Sequence, residues 1–186
     1  PGLSCSALKW CCFPTGGDVI QQECKYYTRR KGPLMEGQVM SSDSGSLPCK
    51  RIIHAVGPRW VNGKSDEEWN LRNCIENCFE ELGNCNLNSI AIPPISTGIF
   101  GFPLDLAVKT IVQTICDLDK KGKLPRKIFL IDNKDNSLRV FARELRSRTE
   151  VVKPKAQPAA RPRASKANGR YRILTARTCK ATLLQK

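Results

Sequence analysis

The sequence lacks the features that mark membrane-spanning and secreted chains. No apolar run approaches the roughly 18 residues that a membrane-spanning helix needs. The opening residues have neither the charged start nor the cleavage site of a signal peptide. No Asn-x-Ser/Thr acceptor for glycosylation occurs in the chain. We therefore expect neither a membrane span nor a secretory leader.

Metal-binding and disulfide patterns are also missing, although the chain has ten cysteines. A disulfide scaffold suits a much smaller secreted chain, so we expect reduced thiols. Cys74 and Cys78 have the spacing of two zinc ligands on one helix face, but no second pair completes a site. The single histidine, His54, lies within an apolar strand, where a core residue is expected rather than a catalytic base. The sequence therefore predicts no metal site.

Positive charge is concentrated at the carboxyl-terminal end of the chain, which has 186 residues and a formal net charge of +14. Residues 149–186 hold ten Lys or Arg and one acidic residue, and several prolines interrupt them. This composition predicts a solvated, disordered tail or, alternatively, an arm that contacts nucleic acid through its phosphates. We divide the chain into an unassigned segment (residues 1–15), one folded domain (16–148) and the basic tail (149–186).

Strand and helix patterns alternate through the folded domain. Apolar runs at residues 51–56, 89–93 and 127–132 predict strands, and a helical apolar pattern follows each run. Ser65 and Glu68 have the spacing of a capping box at the start of the first of these helices. This order predicts an α/β fold with a mainly parallel central sheet that is covered on both faces.

The most informative stretch, residues 89–103, combines a buried strand, a small-residue loop and a helix start. The helix directs its unpaired N–H groups and the positive end of its dipole at the loop. Gly98 and Gly101 remove side chains that would keep a diphosphate from the backbone, and Ser96 and Thr97 can add hydroxyl donors. The stretch therefore predicts an anion site, and the alternative is a tight turn without a ligand.

This loop resembles the ADP-ribose-binding loop of macrodomains, and residues 49–60 resemble the strand and turn that precede it in that family. The likeness is closest to the macrodomains of the large macrodomain-containing ADP-ribosyltransferases of the poly(ADP-ribose) polymerase superfamily. It implies a three-layer α/β/α fold over residues 16–148. The first strands and the glycine-rich loop of the family have no counterpart here, so we expect an incomplete sheet at its N-terminal edge.

The resemblance implies a module that recognises ADP-ribose or mono-ADP-ribosylated proteins without a cofactor. Signalling or transcription regulation in the nucleus or cytoplasm is implied by the same analogy. The loop backbone is expected to hold the diphosphate, Ile99 and Phe102 to pack around the ribose, and the residues after the strand at 127–132 to lie by the adenosine. The nine expected binding residues are Ser96, Thr97, Gly98, Ile99, Phe100, Gly101, Phe102, Asp132 and Asn133.

Three other functions stay open. The first alternative is a nucleic-acid-binding protein that acts through its tail. The second is a truncated macrodomain, such as a splice variant, that binds ligand weakly or not at all. The least favoured alternative is a hydrolase that removes ADP-ribose from proteins, because hydrolysis needs a positioned water and an activating group. The loops that supply them in hydrolytic macrodomains are not recognised, so no catalytic residue is assigned. Nothing in the chain resembles a transferase domain.

Overall fold

The computed structural model describes residues 16–149 and 171–175. The predicted alternation of strand and helix from residue 51 onward is confirmed, and the strand at 127–132 has the predicted bounds. In chain order the elements of the described residues are α1 (Asp18–Lys31), β1 (Val39–Asp43), β2 (Arg51–Ala55), α2 (Glu67–Asn84), β3 (Ser89–Ile92), α3 (Leu104–Lys120), β4 (Lys127–Asp132), α4 (Asp135–Thr149) and β5 (Tyr171–Thr175).

The five strands form two sheets. β1 and β2 pair antiparallel, while β3, β4 and β5 form a parallel sheet in that order. Ile92 lies opposite Leu130 in the parallel sheet, so β3 and β4 bring their carboxyl ends to one edge. This arrangement confirms the expected α/β class, and it places the loop after β3 beside the residues that follow β4.

β5 differs from the sequence-based expectation, because it lies within the stretch predicted to be a disordered tail. Its main chain pairs with β4 over five positions, from Ile128 opposite Tyr171 to Asp132 opposite Thr175. These five residues therefore belong to the folded body. The pattern was not recognised because a five-residue strand that contains Arg172 has no clear apolar period, and pairing with β4 overrides local propensity. The other tail residues beyond 149, and residues 1–15, lie outside the described part of the chain.

The core lies where α2 and α3 meet the parallel sheet. α2 packs on both strands of the antiparallel pair and on α3, and α4 packs on α3, β4 and β5. No helix of the described residues is long and apolar enough to cross a membrane. The largest cluster of buried side chains consists of Ile75, Phe79, Leu82, Ile92, Val108, Ile111, Val112, Ile115, Leu118, Ile128, Leu130, Val140 and Phe141.

The start of α2 corrects the predicted capping box. The residue before the helix is Asp66, in a left-handed conformation (φ 59°), and it makes no side-chain cap. Instead, the buried carboxylate of Glu67 accepts the backbone N–H groups of Asn62, Gly63 and Ser65 at 2.7 to 3.1 Å. Burial alone would raise the pKa of Glu67, but the backbone donors outweigh it and lower the pKa to about 2. Glu67 therefore links the turn after β2 to the start of α2 through these hydrogen bonds.

Candidate functional site

The loop between β3 and α3 holds its own shape through internal hydrogen bonds. Ser96 has a left-handed backbone (φ 68°), and its carbonyl accepts the N–H of Phe102 at 3.0 Å. The N–H of Gly101 donates to the carbonyl of Gly98 at 2.9 Å. The hydroxyl of Thr97 donates to the carbonyl of Pro94 at 2.8 Å. These bonds hold the loop in one conformation beside the helix start.

The donors that remain for a ligand are main-chain groups. In the described part of the chain, the backbone N–H groups of Gly98, Ile99 and Phe100 have no protein acceptor. Since backbone N–H groups require partners, consecutive free ones on a loop form a natural anion site. The hydroxyls of Ser96 and Thr97, predicted as extra donors, are differently placed: the first is buried and the second is used within the loop.

The two glycines of the loop have different roles. A Cβ added at Gly98 would meet no atom within 4 Å, so the fold does not need glycine there. Gly101 also has open space, but its φ of +67° is a conformation that other residues rarely adopt. The open side at Gly98 therefore leaves the backbone accessible to a ligand, while Gly101 allows the turn into α3.

Two apolar residues expected near the ribose lie in different surroundings. Ile99 is 89% exposed, so its side chain is free to contact a ligand. Phe102 is only 2% exposed and packs on Trp60, with ring centroids 4.8 Å apart. The side chain of Phe102 is therefore part of the core, and it anchors the loop rather than covering the ribose.

The turn after β2 contacts the loop between β3 and α3 and helps to fix its position. The N–H of Trp60 donates to the carbonyl of Phe100 at 2.9 Å. A Cβ added at Gly57 would lie 2.2 Å from Ser96 Oγ and 2.5 Å from Ile95 Cγ2, so only glycine permits this approach. Sequence reasoning assigned no role to Gly57 or Trp60, although both lie in the stretch 49–60 that carries the family resemblance.

The N-terminus of α3 supplies the expected positive electrostatic potential at the loop, and one acidic side chain lies beside it. α3 begins at Leu104, and the carbonyl of Pro103 accepts the N–H of Ala107. Asp105 in the first turn opposes the binding of an anion, but it pairs with Arg143 of α4. The ion pair offsets the charge of Asp105, so the positive end of the helix dipole still favours an anion at the loop.

Asp132 and Asn133 end β4 at the same edge of the sheet as the loop. Asp132 is half-buried and Asn133 is exposed. The N–H of Asn133 donates to Asp132 Oδ1 at 2.7 Å, which fixes the turn into α4. The remaining carboxylate oxygen of Asp132 and the amide of Asn133 can bind polar groups of a ligand that extends beyond the loop.

The residues considered for a metal site or a base lie in α2 and β2 rather than in the loop. Cys74 and Cys78 are buried thiols, and no group of three or more His, Cys, Asp or Glu in the described ranges could hold a metal ion. His54 is fully buried, with Ser42 Oγ 2.7 Å from its Nε2. Burial lowers the pKa of His54 against the opposing effect of Glu23. The histidine is therefore a packed residue of β2.

A shallow groove elsewhere is less suited to an anion. It is lined by Tyr27, Gln38, Val39, Asn77, Glu80, Glu81 and Asn84. The two carboxylates would repel a diphosphate, whereas the loop presents donors and a helix N-terminus. The loop is therefore the better candidate for a phosphate-containing ligand.

Free main-chain donors between a strand and a helix N-terminus are the arrangement found in many phosphate-binding sites. The family model described as "Macro domain" matches residues 12–111. The chain is a member of the macrodomain family, which confirms the resemblance.

Similar proteins and structures agree with this assignment. The chain is 33% identical to the human protein mono-ADP-ribosyltransferase PARP14 over 159 residues, which are 83% of this chain and 9% of that protein. It is 33% identical to O-acetyl-ADP-ribose deacetylase 2 of Pantoea vagans over 62% of this chain and 68% of that protein. The macrodomain of Oceanobacillus iheyensis with ADP superposes with a TM-score of 0.71 at 25% identity, over 76% of this chain and 75% of that chain.

Proposed function

We propose that this macrodomain is a binding module for ADP-ribose, either free or attached to proteins as a single unit. The observation that carries the proposal is the run of free N–H groups at Gly98, Ile99 and Phe100 on a loop that holds its own shape. Charge-assisted hydrogen bonds from such donors are strong, because the acceptor oxygens carry the negative charge of the diphosphate. The solved macrodomain of Oceanobacillus iheyensis with ADP supports the choice of a ligand that contains an adenosine diphosphate.

The rest of the ligand would lie along the edge of the parallel sheet. Ile99 is the exposed apolar side chain on the loop, and it is suited to pack against a ribose. Asp132, the last residue of β4, and Asn133, which follows it, lie at the same edge and can bind hydroxyl or amine groups of the adenosine. Together these groups would distinguish a nucleoside diphosphate from pyrophosphate.

Calorimetric titration of the full chain tests this function. ADP-ribose, ADP, AMP and pyrophosphate are each added to a folded sample at the same salt concentration. We expect the affinity to rise from pyrophosphate to ADP to ADP-ribose, and to be weakest for AMP, which has no diphosphate. No binding of ADP-ribose at millimolar concentration by a folded sample would contradict the proposal.

Hydrolysis is a second candidate, because relatives named O-acetyl-ADP-ribose deacetylases match the chain at 30% to 36% identity. The described part of the chain offers little for this chemistry. Near the loop, Asp105 pairs with Arg143, and Asp132 accepts the N–H of Asn133. A general base for water would have to be the remaining oxygen of one of these two carboxylates. Release of acetate from O-acetyl-ADP-ribose above the buffer rate would favour the enzyme.

Nucleic-acid binding through the tail stays a prediction, and β5 changes how it must be tested. Deleting the whole stretch after residue 152 would remove β5 and expose an edge of β4. Deletion of residues 176–186 removes basic residues and leaves β5 in place. If the tail binds nucleic acid, this deletion should weaken the affinity and reduce its dependence on salt, while ADP-ribose binding should not change.

A further inference from the structure

We propose that the basic face of α1, formed by Lys25, Tyr26, Arg29 and Arg30, binds single-stranded nucleic acid. The second half of α1, residues 25–31, contains four basic residues and no acidic one. All four members of the basic face are exposed to solvent. This concentration of positive charge around an aromatic ring favours a partner that carries both phosphates and planar bases.

The cations of the basic face are not neutralised by the fold. Among the described residues, the ion pairs lie on α2, α3 and α4, and none of them includes a residue of α1. Glu23 of α1 is engaged with β1, where its carboxylate accepts the N–H of Asp43 at 2.9 Å. Asp18, in the first turn, lies about 10 Å from Lys25 along the helix axis. The positive charge is therefore available to a partner.

The helix dipole alone does not explain this charge. Cations in the last turn of a helix are stabilised by its dipole, and Arg29 and Arg30 lie in the last turn of α1. Lys25 lies before that turn, where the effect of the dipole has fallen off. Because residues three and four apart share a face of a helix, Lys25 and Arg29 are neighbours. The cations thus form one continuous surface rather than a charged helix end.

Tyr26 gives the basic face a planar apolar surface. The residue is 61% exposed, although aromatic residues are usually buried in large part. The guanidinium carbon of Arg30 lies 5.5 Å from the ring centroid, and Arg30 Nη1 donates to the hydroxyl of Tyr26 at 2.6 Å. This contact holds both side chains in place before a ligand arrives, which reduces the entropy cost of binding. Unpaired bases stack on such rings, whereas the bases of a duplex are already stacked on one another.

An acidic protein is the competing partner for the basic face. Carboxylates would pair with the cations, but they would not use the exposed ring of Tyr26. The opposite side of α1 confines a polyanion further, because Tyr27 borders the groove that contains Glu80 and Glu81. A nucleic acid would therefore lie along the basic face and avoid that groove.

The salt dependence of oligonucleotide binding tests the role of the cations. Fluorescence anisotropy is measured on the full chain with a labelled oligothymidylate of about twelve nucleotides. Arg29→Gln with Arg30→Gln should weaken binding and make the plot of log affinity against log salt shallower by about 1.4, since each phosphate contact contributes about 0.7. The matched control, Lys121→Gln with Lys123→Gln, removes two exposed cations after α3. Equal slopes for the two double variants would overturn the proposal.

Tyr26 variants test the stacking of a base. Tyr26→Ala should weaken single-strand binding by at least about fivefold, the low end for the loss of one stacked base. The same substitution should leave the affinity for a duplex of equal length unchanged. Tyr26→Phe keeps the ring and should retain most of the single-strand affinity. An unchanged single-strand affinity in Tyr26→Ala, or an equal loss for the duplex, would overturn the proposal.

Competition experiments identify the class of partner and separate this face from the loop after β3. Unlabelled oligothymidylate should displace the labelled strand far better than polyglutamate of equal charge. Equal displacement would assign the basic face to acidic proteins and overturn the proposal. ADP-ribose should not displace the strand, and the α1 variants should bind ADP-ribose as the parent does. Displacement by ADP-ribose would place both ligands at the loop and would also overturn the proposal.

Discussion

The hydroxyl of Ser96 lies against Gly57 so closely that a Cβ at residue 57 would come within 2.2 Å of it. The turn after β2 thereby fixes the position of the loop after β3. If the loop binds ADP-ribose as proposed, the affinity depends on a residue that is not itself expected to contact the ligand.

Gly57→Ala should weaken ADP-ribose binding by about tenfold or more while the protein stays folded. The added methyl group must displace Ser96 and Ile95, and overpacking of this kind costs about 1 to 3 kcal/mol. Calorimetry measures the affinity, and circular dichroism measures the fold. Gly83→Ala is the control, because it lies on a helix with no atom near its Cβ position. Adding Ser96→Ala should restore part of the affinity, and a normal affinity in Gly57→Ala would contradict this account.

Gly98→Glu should abolish binding with little change in stability. The position is open, so the side chain fits, but it places bulk and negative charge where the diphosphate must lie. Two or three lost hydrogen bonds at about 1.5 to 3 kcal/mol each amount to more than about a hundredfold in affinity. Gly83→Glu adds the same charge on the exposed face of α2 and should bind as the parent does. Equal affinities for the two variants would show that the ligand lies elsewhere.

Phe102→Ala should act through stability. The side chain is 2% exposed and packs on Trp60, so its removal should lower the free energy of unfolding by about 3 to 5 kcal/mol. Urea unfolding measures the loss. Phe100→Ala, at a half-buried position of the same loop, should cost much less. A Phe102→Ala protein of normal stability that has lost its affinity would instead place the ring against the ligand, as the sequence predicts.

Glu67→Gln should make stability less dependent on pH at the acid end. The folded pKa of Glu67 is lowered to about 2 from an ordinary value of 4.5, so the carboxylate stabilises the fold fully above pH 4.5. This stabilisation is lost as the pH falls from 4.5 toward 2. The variant should be less stable than the parent at pH 7 and should approach it near pH 2. Urea midpoints between pH 2 and 7 test this, with Glu68→Gln as the control; parallel curves for Glu67→Gln and the parent would contradict it.

The regular elements could be predicted because their signals are local. The apolar run at residues 127–132 forms β4 at the predicted bounds, and the helical pattern after Pro103 forms α3. The features that were missed depend on tertiary contacts. Ser65 and Glu68 have capping-box spacing, yet the neighbouring Glu67 is the residue that turns inward and binds the backbone. Likewise, the composition of the loop indicates phosphate binding but not that Thr97 has already used its hydroxyl.

The pairing of β5 with β4 makes residues 171–175 an integral part of the domain. Twenty-one residues separate the end of α4 from the start of β5, and five aligned main-chain positions attach that strand. Cleavage of the chain between α4 and β5 would leave β5 attached only by its pairing with β4. The two fragments should then complement each other non-covalently. A peptide that carries residues 171–175 should compete with the native β5 for pairing with β4. Two chains that exchange this strand would form a domain-swapped dimer.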